Sequence, residues 1–218
     1  MGTYVLTSGN DVFPGPGWNV PQTEQVSVYG QGGNDSIVGG IQADYLDGGA
    51  GTDNLFGHSG DDTLLGQDGD DDLDGDQGHD FLIGGTGWDV LYGGKYSGSG
   101  NDTLNGGGSY YEDELYGGDG NDTYLHYNND GGFDEITDAS GSADHLVFND
   151  ATLSDLAALI VNGSDLVLWT QSDAADGYLD NGVYIHNYIY NNQHGMGEIE
   201  YLTIGNSTYS LWGLLGLA

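Results

Sequence analysis

Ten aspartates recur along the middle of the chain in step with glycine and an apolar residue: Asp35, Asp44, Asp53, Asp62, Asp71, Asp80, Asp89, Asp102, Asp113 and Asp122. Each stands sixth in a nine-residue unit of the form G-G-x-G-x-D-x-U-x, where U is apolar. Carboxylate oxygens at this density suit a hard divalent cation. The glycines before each aspartate let the backbone adopt positive φ and gather carbonyl oxygens in a tight turn. An acidic face that merely meets solvent would not keep a fixed phase with glycine and leucine.

These units fill residues 30–92 without interruption in seven copies; an eighth at 93–105 carries four extra residues, a ninth at 106–116 two, and a tenth at 117–125 is regular. Positions seven to nine read as a short strand whose eighth residue points inward: Ile37, Leu46, Leu55, Leu64, Leu73, Leu82, Leu91, Leu104, Leu115 and Tyr124. A helix is excluded by the apolar spacing and by a glycine load costing about 1 kcal/mol per residue.

Composition limits the rest. The chain has 218 residues, 42 glycines and a net charge of -34, from 35 acids against one basic side chain, Lys95. Nothing here could neutralise phosphates, so no nucleic-acid partner is expected. Leu, Ile, Val and Phe make up 48 residues, about 22%, barely above the level at which such charge keeps a chain disordered. With no cysteine, disulfides and zinc–thiolate sites are excluded, so the help the fold needs is an oxygen-bound cation or a partner. No apolar run approaches the roughly 18 residues needed to span a bilayer, so membrane insertion is not expected.

The tandem nonapeptides resemble the RTX family of calcium-binding repeats. The resemblance implies an all-β fold, a right-handed parallel β-roll in which two units make one coil and copies n and n+2 stack. The aspartates then fall into two columns, Asp35, Asp53, Asp71, Asp89, Asp113 and Asp44, Asp62, Asp80, Asp102, Asp122, with 18 residues between regular neighbours. Stacked carboxylates repel unless a cation lies between them, and calcium accepts six to eight oxygens in flexible geometry. The gaps between column neighbours give roughly eight calcium sites. Main-chain ligands from the turn glycines Gly33, Gly51, Gly60, Gly69, Gly78, Gly87, Gly100 and Gly120 are implied by the family pattern. Gln42 beside Asp44 and Tyr111 beside Asp113 depart from that pattern, and the insertion around Lys95 lengthens the turn before Asp102.

Four stretches follow. Residues 1–29 hold a partial repeat, with Asp11 sixth and Phe13 eighth, and a proline-rich loop; 30–125 are the repeats; 126–148 are degenerate last coils retaining Asp134 and Asp144; 149–218 form a β-rich cap. Within the cap a short helix is expected from Thr152 or Ser154, presenting Leu156, Leu159 and Ile160, followed by strands. Solenoids require such an end cover.

The resemblance further implies a secreted, extracellular module that folds on calcium and leaves the cell through a type I export machinery. That export uses an uncleaved C-terminal signal, for which the uncharged stretch 201–218 is the candidate; no cleavable N-terminal signal is expected. No G-x-S-x-G, phosphate loop or metal-spaced histidine occurs, so no catalysis is expected. Carbohydrate or surface binding through the cap aromatics Trp169, Tyr178, Tyr184, Tyr188, Tyr190, Tyr201, Tyr209 and Trp212 is an alternative. So is service as the non-catalytic end of a secreted enzyme or adhesin.

Overall fold

The computed structural model describes residues 1–14, 23–95, 100–108, 111–127, 132–138, 143–149, 151–154, 156–161, 165–170, 181–186, 189–190, 193–194 and 199–215. Alternate strands feed two ten-stranded sheets. The first holds Val26–Tyr29, Tyr45–Ala50, Thr63–Asp68, Phe81–Thr86 and their successors; the second holds Ser36–Val38, Asn54–Ser59, Asp72–Gln77, Val90–Tyr92 and theirs. Pairing is parallel and in step with the repeat: Leu46 lies opposite Leu64 and Leu64 opposite Leu82, while Leu55 lies opposite Leu73 and Leu73 opposite Leu91. The chain is therefore a parallel β-solenoid of two units per coil.

The regular strands run six residues, three beyond the expected positions seven to nine, because positions one to three of the next unit go on pairing, as Gly49 with Gln67 and Ala50 with Asp68. This extension needs a left-handed residue at position two. Gln31, His58, Gln67 and Asp76 adopt it at φ of 77°, 75°, 83° and 66° despite carrying side chains, a conformation ordinarily left to glycine.

The core is a double file of side chains, one per strand through the repeats. Val28, Leu46, Leu64, Leu82, Leu104, Tyr124 and Leu146 from the first sheet meet Phe13, Ile37, Leu55, Leu73, Leu91, Leu115 and Ile136 from the second, all buried in one cluster. Leu64→Ala should therefore cost about 2–5 kcal/mol. Leu65→Ala, one residue on and facing outward, should cost much less. Urea unfolding in saturating calcium checks the pair, and equal losses would contradict a core this narrow.

Beyond the repeats the stacking continues. Gly132–Ile136 and Asp144–Phe148 add parallel rungs, and the C-terminal region adds two more, Asn181–Ile185 and Ile199–Ile204. The helix expected near Leu156 is not formed: Leu156–Val161 is a strand, antiparallel to Asp165–Thr170, which in turn pairs with Asn181–Ile185. Two turns of isolated helix are marginal. The last parallel rung, in contrast, presents an open row of backbone donors and acceptors that a hairpin satisfies. Asn162-Gly163 between the two strands is a strong hairpin sequence. A short helix occurs instead at Leu211–Leu215, with Leu211 and Trp212 buried. No described helix is long and apolar enough to cross a membrane.

Candidate metal centre

The turn at positions four to six brings each aspartate to an edge of the solenoid, where backbone ladders hold it from both sides. The N–H of Asp35 donates to Oδ1 of Asp53 at 2.7 Å, Asp53 to Asp71 at 2.7 Å, Asp71 to Asp89 at 2.9 Å and Asp89 to Asp113 at 2.8 Å. Along the other edge Asp44 donates to Asp62 at 2.7 Å, Asp62 to Asp80 at 2.8 Å, Asp80 to Asp102 at 2.9 Å and Asp102 to Asp122 at 2.8 Å. The ten aspartates thus stand in two columns, and all ten are buried. The second column runs one member further than the repeats, through Asp122 N–H to Oδ1 of Asp144 at 2.8 Å.

One oxygen of each carboxylate is therefore occupied. In eight of them the other is not: Oδ2 of Asp35, Asp53, Asp62, Asp71, Asp80, Asp89, Asp122 and Asp144 is buried with no hydrogen-bond partner. A buried carboxylate oxygen left in this state is costly. These oxygens face position one of their own unit. A Cβ placed on Gly66 would meet Asp71 Oδ2 and, at 2.6 Å, the carbonyl oxygen of Gly84 one coil on. At Gly57 it would meet Asp62 Oδ2 and the carbonyl of Gly75 at 3.0 Å. Each cradle is lined by carboxylate and carbonyl oxygens, a donor set that fits calcium. The residues that would hold the ion are the column aspartates and the position-one glycines of successive coils.

The protein has no cation of its own to place there. Lys95, its single basic side chain, lies on the outer face of the second sheet, 4.0 Å over the Tyr92 ring and 3.7 Å from Asp72.

Burial, the largest cause throughout, pushes the carboxyls of Asp62, Asp71 and Asp89 up to about 7, Asp80 and Asp122 to about 6, and Asp102 and Asp144 to about 8. Neighbouring acids push the same way. Unfolded aspartate titrates near 3.9, so between pH 4 and 8 the ion-free solenoid binds more protons than the unfolded chain. Its stability is fully present below about pH 4, falls as pH rises from there, and stops falling only above the folded values of about 6 to 8. In chelator, strand content measured by circular dichroism should rise on going from pH 8 to pH 5. Greater order at pH 8 would contradict the burial of these carboxyls.

The remaining candidates are placed differently. Asp44 stands in its column, but its Oδ2 accepts the Gly40 N–H at 2.7 Å. Asp113 faces Asp134 in register, and Oδ2 of Asp134 lies 2.7 Å from Nδ1 of buried His126. Asp11 donates its N–H to Asp35 at 2.7 Å, while its own carboxylate accepts the Thr7 N–H and hydroxyl at 2.8 and 2.6 Å. Those bonds hold the Asp11 carboxyl below its ordinary pKa. The fourth-position glycines form carbonyl ladders: a Cβ on Gly51 would strike the Gly33 carbonyl, and Gly69 that of Gly51, Gly87 that of Gly69, Gly78 that of Gly60, Gly100 that of Gly78 and Gly120 that of Gly100.

Sequence reasoning missed two groups. The position-one glycines beside Oδ2 were legible as the residue present in all ten copies, where position four changes to Gln42 and Tyr111. Position five carries a second ladder: Asp70 Oδ1 accepts the Trp88 N–H at 2.9 Å, Asp61 Oδ1 that of His79 at 2.9 Å, His79 Nδ1 that of Asn101 at 2.7 Å and Asn101 Oδ1 that of Asn121 at 2.9 Å. His79 is thus a turn acceptor. Of the cap aromatics, Tyr178 and Tyr188 lie outside the described residues. Tyr184 lies on the second sheet, bonded to Asp165 at 2.9 Å, and Tyr201 lies on the first, stacked on His145.

Residues 29–64, 65–95 and 96–126 match the family model of the RTX calcium-binding nonapeptide repeat (4 copies). No curated protein matches the chain. Over residues 29–126 the repeats and the parallel solenoid fit an RTX β-roll domain.

Proposed function

We propose, from the premise that this chain carries an RTX β-roll of calcium-binding repeats, that it is a non-catalytic module of a secreted protein whose folding is switched on by extracellular calcium. What carries the reading is the repeated, buried, unpartnered Oδ2 facing a glycine carbonyl of the next coil, in a chain with a single lysine. Bound calcium supplies positive charge between carboxylates that otherwise repel. The aspartates hold it with Oδ2 while Oδ1 keeps the coils in register, and the position-one glycines leave the space it needs.

Extracellular calcium modules bind in the range of about 0.1–1 mM, far above cytosolic calcium. A site whose ion is at about ten times its dissociation constant adds about 1.4 kcal/mol, and many such sites act on one cooperative stack. Inside the cell the chain stays expanded by its own charge, a form suited to threading through an exporter. Outside it folds. Circular dichroism tests the cation: 5 mM calcium should bring up the strand signal, and 5 mM magnesium, which demands a smaller octahedron and keeps its waters, should not. An equal response to both would overturn the calcium reading.

A further inference from the structure

At the end of the second column the oxygen set changes. In a regular unit, the space over the position-one glycine is bounded by the unit's own Asp Oδ2 and the carbonyl of the next coil's position-one glycine. Over Gly117 the next-coil carbonyl is replaced by the hydroxyl of Tyr124, which lies there with Asp122 Oδ2. That hydroxyl accepts the Gly117 N–H at 2.9 Å and donates to Asp138 Oδ2 at 2.8 Å. Asp138 occupies position one of the unit stacked on that of Gly117 in the next coil, directly after Ile136 and Thr137, where every repeat has glycine. An acid has taken the glycine's place.

The consequence is a cluster that no regular unit has among the described residues: carboxylate oxygens of Asp122, Asp138 and Asp144 lie within 4.8 Å of one another. All three residues are buried, Asp122 and Asp144 at 0% exposure, and Oδ2 of both lacks a hydrogen-bond partner. Oxygens that share one calcium at 2.3–2.6 Å must lie within about 5 Å of each other, which this spacing meets. Asp138 and Asp144 also lie beyond residues 29–126, the part that matches the repeat family.

We propose that Asp122, Asp138 and Asp144 form a cation site of their own at the junction of roll and cap, a three-carboxylate site for calcium that ties the last coil to the C-terminal rungs. The tie runs through Asp144, whose N–H donates to Oε2 of Glu200 at 2.8 Å on the strand Ile199–Ile204. With three carboxylates in place of a carbonyl-rich set, the site binds more tightly than the repeats and favours trivalent lanthanides, since affinity follows ligand charge. The choice of calcium as the natural ion rests on the function proposed above; the site itself rests on the cluster.

The test is anomalous scattering from crystals of the full chain grown in calcium and exchanged with terbium. A strong peak should lie among the three carboxylates, and Asp138→Asn should abolish it while peaks along the columns remain. Asp138→Gly, which restores the repeat's own residue, serves if the first variant fails to fold, and should weaken terbium binding there about tenfold or more. Filled columns with nothing at the junction would overturn this site alone. A junction peak at full height in Asp138→Asn would do the same. No peak anywhere would overturn both this site and the calcium reading.

Discussion

Withdrawing calcium at pH 7.5 should expand the chain from a compact solenoid to a coil with a radius of gyration near 50 Å, against about 17 Å for a compact fold of this length and somewhat more for an elongated one. The reason is the balance of forces along the stack. The ten repeat aspartates are buried in two columns, 35 acidic side chains are set against one lysine, and the core of the repeats is one side chain per strand. Hydrophobic burial of that extent does not hold unpaired buried carboxylates together near neutral pH. Small-angle scattering with calcium and then with chelator reads the change directly. An unchanged radius, with strand content intact, would show that side-chain packing alone sustains the roll.

Gly48→Ala should be damaging because of what it does to the ion's ligand, while Gly32→Ala should be among the mildest single-methyl additions in the repeats. A Cβ on Gly48 would sit on Oδ2 of Asp53, with Cγ and Cβ of the same side chain at 2.9 and 3.0 Å. The methyl takes the ion's space and pushes away its ligand. At Gly32 the nearest atoms are the Ala50 carbonyl oxygen at 3.5 Å and the Ala50 Cβ at 3.9 Å, an ordinary contact. We expect Gly48→Ala to destabilise the calcium-bound form by about 2–3 kcal/mol and raise the calcium midpoint, with Gly32→Ala within about 0.5 kcal/mol of the parent. Calcium titration followed by circular dichroism compares them. Coincident midpoints for Gly48→Ala and the parent would mean that no ligand faces that glycine.

Much of this architecture was legible because a strict period of nine carries both the apolar file and the aspartate columns. Leu55 predicts Leu73, and Asp53 predicts Asp71. What escaped the sequence lies where the period carries no distinct residue type or where it ends. The fifth-position ladder is built by Asn, Asp and His alike, since any side chain with an acceptor at the right reach will serve. The position-one glycines look like turn glycines until Oδ2 is seen against them. Leu156–Val161 has apolar residues that suit a helical face, but the open edge beside Asn181–Ile185 decides for a strand. Asp138 lies outside the intact repeats, and only the stacking of Ile136 on Leu115 shows that it stands in a glycine's place.

The most direct test of ions held between successive coils is a calcium anomalous difference map from crystals grown in millimolar calcium. It should show a file of peaks along each edge of the solenoid, each within 2.3–2.6 Å of an aspartate Oδ2. Two clean edges without such peaks, in a chain folded as described, would contradict it.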